Sequence, residues 1–295
     1  MQLVDLHRHL DGSLRPGTLR ELSAAAGQPL GRVPRFVPGM GLPAALACFR
    51  VTLAALQTPE SVARVASEAC EDAESDGVST LELRFAPHLH RGAPLEDIVD
   101  AAVAGVGGRA GLVLCGLYGD HPSVFESLVD LAGPRPGVVG IDLAGGPLPD
   151  HRYGLRDYAD AYAGAAALGL GRTVHAGEGR PASEIRDAIE RLGAQRIGHA
   201  LSILDDPEVV ALAISRAVTL EACPTSNWHV GILPRPEAHP ARAWLERGLR
   251  VAVCTDNPLL SQTTVQEELA RVGAPPGSPL AAAFLQHAAS ARFQR

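Results

Sequence analysis

Eight short apolar segments, separated by stretches of helical periodicity, restrict the fold of this chain more than any other feature. Several are continuous apolar runs rich in β-branched residues, as expected of strands buried on both faces of a sheet. The strand candidates are residues 3–9, 80–87, 111–118, 138–145, 172–178, 196–199, 218–224 and 249–256. Helical periodicity is clear between them, for example in residues 59–76 and 182–192. This alternation predicts an α/β protein with a closed (β/α)8 TIM barrel, and we expect residues 1–295 to form a single barrel domain.

The segment between the first two predicted strands is longer than one crossover helix needs. It extends from Leu14 to Asp76 and contains several glycines and prolines between residues 27 and 43. These residues interrupt a regular helix. We therefore expect extra helices with an irregular connection, lying over one end of the barrel as a lid.

The composition excludes several kinds of partner and several mechanisms. The net charge of −7 comes without a basic cluster, so a nucleic-acid surface is not expected. No apolar run approaches the ~18 residues of a membrane span, which leaves small molecules or further copies of the chain, in a homo-oligomer, as partners. The sequence contains no lysine, so Schiff-base chemistry, a P-loop lysine and a carbamylated-lysine metal bridge are impossible. Five cysteines without a C-x-x-C pair, and no signal-peptide pattern, favour a cytoplasmic protein.

Titratable side chains stand at the ends of several predicted strands. In a (β/α)8 barrel the carboxyl ends of the strands converge on the face that carries active sites. We therefore expect residues far apart in sequence to meet there. They are His7 and His9 after the first strand, His175 and Glu178 after the fifth, His199 after the sixth and Asp256 after the eighth.

The spacing of His7 and His9 places both imidazoles on one side of a strand, within reach of one ion. Three histidines and one carboxylate suit zinc, which keeps an open position when it is catalytic. Taken alone, the pair also fits two hydrogen-bonded loop histidines. His175 and Asp256, at the ends of other strands, favour the metal site.

The remaining residues each allow a second interpretation. Glu178 is a proton donor if burial raises its pKa, but it also fits a helix N-cap or a salt bridge. His199 fits a metal ligand, a base or a buried core histidine. Asp256 and Asn257 precede Pro258, so an ordinary Asx-turn explains them as well as a metal ligand does.

Seven ordered motifs between residues 3 and 258 resemble the adenosine deaminase family of metal-dependent amidohydrolases. They are "HRHLDGS", "TPESVARVASEACEDAESDGVSTLELRFAPHLH", "GIDLAG", "TVHAGE", "RIGHA", "EACPTSN" and "TDNP". The resemblance implies that four side chains hold one zinc ion whose bound water attacks C6 of a 6-aminopurine. These ligands are His7, His9, His175 and Asp256.

The resemblance also implies roles around the purine. Glu178 protonates N1, while His199 and Asp256 orient the water and take its proton. Asp11 contacts a ribose hydroxyl, although Asp11 next to Gly12 also fits a cap of the following helix. The remaining substrate contacts implied are His9, the backbone N–H of Gly145 at purine N3, the apolar gate of Leu42 and Leu46, and Asn257 at N7.

Two positions depart from the family pattern. The motif commonly reads T-D-D-P, whereas Asn257 occupies the second aspartate position here and donates to N7 at any pH. Ala45 stands where well-studied members resembling this segment have phenylalanine, which opens space on the ribose side.

The sequence therefore predicts a zinc-dependent deaminase of adenosine or deoxyadenosine. A 5′-modified nucleoside such as 6-amino-6-deoxyfutalosine, and then free adenine, are the alternative substrates. Another amidohydrolase of the same fold, or an inactive binding relative, are the competing classes.

Overall fold

The eight strands form one parallel sheet in which every strand lies beside its neighbour in sequence, from β1 to β8. The computed structural model describes residues 2–148 and 150–294. A bridge between Arg8 and Asp256 joins the first strand to the segment after the last strand and closes the barrel. The predicted (β/α)8 barrel is confirmed. The strands are β1 (Leu3–His9), β2 (Val78–Phe85), β3 (Gly111–Leu117), β4 (Val138–Ala144), β5 (Gly171–Ala176), β6 (Arg196–His199), β7 (Thr219–Ala222) and β8 (Arg250–Val253).

Helices connect the strands and follow the last of them. Many begin with proline in the first turn, where its missing N–H costs no hydrogen bond. The helices are α1 (Pro16–Ala25), α2 (Leu42–Ala55), α3 (Pro59–Ser75), α4 (Leu95–Val106), α5 (Pro122–Ala132), α6 (Ala159–Ala167), α7 (Ala182–Arg191), α8 (Pro207–Ser215), α9 (Pro224–His229), α10 (Ala241–Glu246), α11 (Pro258–Ser261), α12 (Val265–Arg271) and α13 (Pro279–Ala291). Among the described residues, none of these helices is both long and apolar enough to cross a bilayer.

The extra helices predicted after the first strand are present as α1 and α2, and α2 lies over the carboxyl ends of the strands. The irregular connection between α1 and α2 is tied to distant loops, because Phe36 N–H donates to the Leu260 carbonyl and Met40 N–H to the His229 carbonyl. The side chain of Leu42 packs so closely on Gly146 that a Cβ there would lie 2.8 Å from Leu42 Cδ2. This segment therefore covers the mouth of the barrel, as predicted.

Six strands (β2, β3, β4, β5, β7 and β8) end one to three residues earlier than the sequence predicts, and at β5 and β8 the difference affects the site. β5 ends at Ala176 instead of residue 178, and β8 ends at Val253 instead of residue 256. Gly177 and Asp256 have φ angles of 75° and 62°, which are incompatible with an extended strand. Glu178 and Asp256 thus lie in the loops at the carboxyl face.

The centre of the barrel contains charged side chains where branched apolar residues are usual. Each of them is at most 2% exposed. Buried charges are costly unless they are paired, so this layer must form a connected network. Its members are Glu82, Arg84, Asp142, Arg196 and Glu221.

Candidate metal centre and active site

Four histidines and one aspartate meet at the carboxyl end of the barrel. His7 Nε2 and His9 Nε2 each lie 3.4 Å from Asp256 Oδ1. His9 Nε2 is 3.3 Å from His175 Nε2, and the His199 ring centroid is 5.2 Å from those of His7 and His175. Imidazole nitrogens and a carboxylate oxygen at this separation form the donor set that zinc prefers.

The donor atoms fall into three overlapping groups, each within a span of 4.8 Å. They are His7 with His175 and His199, His7 with His9 and Asp256, and His199 with Cys223 and Asp256. The four predicted ligands are thus brought together, although no one group contains all of them. His7 Nε2 is also buried, and its contact with Asp256 Oδ1 at 3.4 Å lacks good hydrogen-bond geometry, which is costly unless a ligand engages the nitrogen. These residues therefore fit a metal ion.

Two of the histidines contact buried carboxylates through Nδ1. His7 Nδ1 donates to Glu221 Oε2 at 2.7 Å, and His175 Nδ1 lies 3.1 Å from Asp142 Oδ2. Arg84 joins the two carboxylates, since its Nη1 donates to Asp142 at 2.9 Å and its Nη2 to Glu221 at 3.0 Å. A carboxylate at Nδ1 fixes the tautomer and leaves Nε2 free to coordinate a metal.

These carboxylates stay ionised despite their burial. Burial raises the pKa of Glu221, but the charges of Arg84 and Arg196 outweigh it and hold this pKa well below its usual range. Burial likewise raises the pKa of Asp142, and His175 and Arg84 together reverse the effect. Both carboxylates are therefore charged acceptors at neutral pH.

Unusual backbone conformations direct two of the site residues. His199 and Asp256 have φ angles of 66° and 62°, a left-handed conformation that costs about 1–2 kcal/mol per non-glycine residue. The backbone of Asp256 is fixed to β1 on both sides, because its N–H donates to the His7 carbonyl and its carbonyl accepts from His9 N–H, both at 2.8 Å. These bonds hold the Asp256 carboxylate between the two histidines.

Glu178 and His199 share one buried partner, Asn227. The Asn227 amide nitrogen donates to Glu178 Oε1 at 3.1 Å and lies 3.0 Å from His199 Nδ1. Burial, reinforced by the charge of Asp256, raises the pKa of Glu178 to about 8. The carboxyl group therefore keeps its proton at neutral pH and can donate it. The N-cap interpretation of Glu178 is wrong, because Pro181 occupies the N-cap position of α7.

A cavity of about 60 Å³ lies between the donor cluster and the lid. Binding pockets for small molecules usually have about 300–1,000 Å³, so a nucleoside can enter only if the lid moves outward. Ala45 lines this cavity beside Phe36 and Phe49, so aromatic side chains are present although position 45 carries none. The predicted site residues in its wall are His9, Leu42, Leu46, Gly145, His175, Glu178, His199, Asp256 and Asn257.

Asp11 and Asn257 each have a buried oxygen without a partner. Burial, with a contribution from the charge of Asp256, raises the pKa of Asp11 to about 7. Asp11 is not among the residues that line the cavity, and it does not cap the next helix, whose N-cap is Arg15. The Asn257 oxygen faces the backbone of Gly12, where a Cβ would lie 2.1 Å from it. The amide nitrogen is thus the polar atom that Asn257 offers to the cavity.

Sequence reasoning missed the residues that orient the site. These are Arg84, Asp142, Glu221 and Asn227, which lie within the motifs "TLELRF", "GIDLAG" and "EACPTSN". For Arg84, Asp142 and Glu221, a charged residue inside a buried strand was the available signal, whereas Asn227 is uncharged and lies on α9. The sequence did not indicate which histidine each carboxylate would contact.

Comparisons with known proteins identify similar sequences and similar structures. The model of the family described as adenosine deaminase matches residues 3–278. An adenosine deaminase from Enterococcus faecalis is 35% identical over 288 residues, which cover 91% of this chain and 84% of that protein. The structure of an amidohydrolase from Burkhoderia ambifaria with bound Zn is 25% identical, with a TM-score of 0.87 over 100% of this chain and 86% of its own. Adenine deaminase from Arthrobacter aurescens is also 25% identical, with a TM-score of 0.88 over 99% of this chain and 94% of its own.

Proposed function

Because this chain belongs to the adenosine deaminase family, we propose that it hydrolyses the 6-amino group of adenosine or 2′-deoxyadenosine. Water replaces the amino group at C6, and the products are inosine or deoxyinosine and ammonia. The chain is therefore a hydrolase that acts on a C–N bond. One observation carries the proposal: a buried, protonated Glu178 and a cluster of metal-binding side chains line the same cavity.

The cluster is the proposed site of one zinc ion, with His7, His9, His175 and Asp256 as ligands. A zinc ion supplies Lewis acidity and lowers the pKa of water from 15.7 toward ~7. Support comes from the buried His7 Nε2, which lacks a good hydrogen bond, and from the zinc in the similar amidohydrolase. The His-rich cluster and the zinc-containing similar structure both support a metal-dependent enzyme.

Three side chains then move or hold protons. Glu178 gives its proton to purine N1, so that C6 becomes electron-poor while no negative charge accumulates on the ring. His199 is held by Asn227 and orients the attacking water. Burial lowers the pKa of His199. Burial raises the pKa of Asp256, but the neighbouring histidines outweigh it and hold this pKa well below its usual range. We therefore assign the water proton to His199 and Asp256 together. The amino group takes up the proton removed from the water and leaves as ammonia, and the remaining hydroxyl proton at C6 restores Glu178 as the C6 carbonyl forms.

The remaining substrate contacts are proposed from the family resemblance, and Asp11 is the one of these residues that does not line the cavity. Asn257 donates its amide N–H to purine N7, and Gly145 offers its backbone N–H to N3. Asp11, which has a buried unpartnered oxygen, receives a ribose hydroxyl. Leu42 and Leu46 form the apolar gate above the purine. We also propose that residues 1–295 form one domain, since the described residues build a single barrel.

A 5′-modified adenine nucleoside is the second candidate substrate. The observation that favours it is Ala45, a small residue in the wall of the cavity. A larger group on the ribose would need the space that an aromatic residue at this position would fill. Free adenine is the third candidate, and it would leave Asp11 without a role.

The test is the change in ultraviolet absorbance when zinc-loaded protein is added to one compound at a time. The compounds are adenosine, 2′-deoxyadenosine, 5′-methylthioadenosine, aminodeoxyfutalosine and adenine. Fastest conversion of adenosine or its deoxy form is the expected result. Preference for a 5′-extended compound would replace the substrate but keep the chemistry. No conversion of any compound would contradict the proposed deamination.

A further inference from the structure

Residues 292–294 follow the last helix and lie at the opposite end of the barrel. The Phe293 side chain is buried, two positions beyond the end of α13. Its ring occupies space that two glycines leave free at the amino ends of β4 and β5. A Cβ on Gly171 would lie 2.1 Å from Phe293 Cγ, and one on Gly140 would lie 2.8 Å from Phe293 Cδ2. Larger residues at these positions would displace the ring.

The ring of Phe293 lies directly against a buried arginine. The guanidinium carbon of Arg196 is 3.6 Å from the ring centroid, within the range of a cation–π contact. The last residue of α13 and the backbone of Phe293 also bond to the charged layer. Arg196 Nη1 donates to the Ala291 carbonyl at 3.2 Å, and Phe293 N–H donates to Glu82 Oε1 at 2.7 Å. Ala291 and Phe293 thus fix the position of the Arg196 guanidinium at this end of the barrel.

Arg196 in turn contacts the carboxylate that orients a metal-binding histidine. Its Nε lies 2.7 Å from Glu221 Oε1, and the other oxygen of Glu221 accepts the His7 Nδ1 proton at 2.7 Å. A continuous series of contacts therefore runs through the barrel from Phe293 to His7. His175 contacts a different carboxylate, Asp142, and Arg84 bonds to both Asp142 and Glu221.

We propose that Phe293 is a positioning residue for the metal centre. The ring fixes Arg196, Arg196 fixes one oxygen of Glu221, and Glu221 sets the orientation of the His7 imidazole. The inference rests on the metal site proposed above. Side chains that orient a metal ligand typically change metal affinity 10- to 100-fold when they are replaced. Phe293 acts two contacts further away, so we expect a loss of about 3- to 10-fold.

The experiment measures zinc affinity of the full-length protein by competition with a chromogenic chelator. Phe293→Ala is compared with Glu221→Gln, with the double variant and with Arg292→Ala, an exposed neighbour that serves as control. We expect weaker zinc binding in both single variants and none of this loss in Arg292→Ala. In the double variant, Phe293→Ala should add no further loss, because its route to His7 is already broken. Phe293→Tyr, which keeps the ring, should restore the affinity.

A second variant keeps the test decisive if Phe293→Ala fails to fold. Phe293→Leu fills most of the same space without an aromatic face, and the absorption spectrum of bound Co²⁺ reports the geometry of the site. A shifted spectrum with weaker binding supports the proposal. Wild-type affinity and spectrum in a folded variant, or additive losses in the double variant, would overturn it. Failure of the wild-type protein to bind zinc would overturn the metal site itself, and the inference with it.

Discussion

Replacement of Glu178 should change catalysis and stability in opposite directions, so the two effects can be measured separately. The variant Glu178→Gln keeps the size of the side chain and an oxygen that can accept from Asn227, but it has no proton to give to purine N1. General acids contribute about 10²- to 10⁴-fold to rates. We therefore expect kcat/KM for adenosine to fall by that factor in the zinc-loaded variant. In the wild-type protein, kcat/KM should decline at alkaline pH as Glu178 loses its proton. A bound cation lowers the pKa of Glu178, so the midpoint of this decline should lie at or below pH ~8.

The same substitution should stabilise the metal-free protein at high pH. The pKa of Glu178 is about 8 in the folded protein against an ordinary value of 4.5, so the folded state binds this proton more tightly. Wild-type stability is therefore lost as pH rises through this interval. At about 1.36 kcal/mol per pKa unit, this difference in pKa lowers the free energy of unfolding of the wild-type protein by roughly 5 kcal/mol above pH 8 and by about 3 kcal/mol at pH 7. The glutamine variant does not lose this stability. Below pH 4.5 the titration of Glu178 should no longer produce a difference between the free energies of unfolding of the two proteins.

The assays are steady-state deamination of adenosine and urea unfolding of the chelator-treated proteins between pH 5 and pH 9. Glu190→Gln, on the exposed face of α7, is the control and should change neither result. A Glu178→Gln variant that retains activity within tenfold would refute the proton-donor role. Parallel pH dependence of unfolding in wild type and variant would refute the raised pKa.

Three further substitutions test other parts of the site. Asn257→Asp should add a loss of activity at alkaline pH, because an aspartate must be protonated to donate to N7; identical alkaline limbs in the two pH–rate profiles would remove the idea. Ala45→Phe should lower kcat/KM for 5′-methylthioadenosine more than for adenosine, and equal effects would argue against an open gate. Gly177→Ala should lower Tm and activity, since the position has φ of 75° and the new Cβ would lie 2.6 Å from Ile185 Cδ1; such a conformation costs about 1–2 kcal/mol, and an unchanged Tm would contradict it.

Much of the fold could be predicted because its signals are local. Strand-length apolar segments and helical periodicity identified eight βα units, and glycines and prolines between residues 27 and 43 indicated the irregular lid. Strand ends were less certain. The predicted ends at residues 178 and 256 were wrong because Gly177 and Asp256 adopt left-handed conformations that pattern alone does not reveal.

The sequence indicated the titratable residues of the candidate site and missed the residues that support them. His7, His9 and Glu178 stand in short motifs whose residue types indicate metal binding and proton transfer. Asn227 lies 49 residues from Glu178, and Glu221 lies 214 residues from His7. No periodicity connects positions so distant.

The sequence by itself therefore determined the barrel, the residue types available for catalysis and the chemistry that a chain without lysine cannot perform. Only the tertiary structure decided that Arg84 bridges Asp142 and Glu221, that Asn227 serves both Glu178 and His199, and that the lid leaves little space above them. The physical reason is that patterning arises from neighbours along one strand or helix. Orientation and pKa arise from burial and from charges that meet only when the barrel closes.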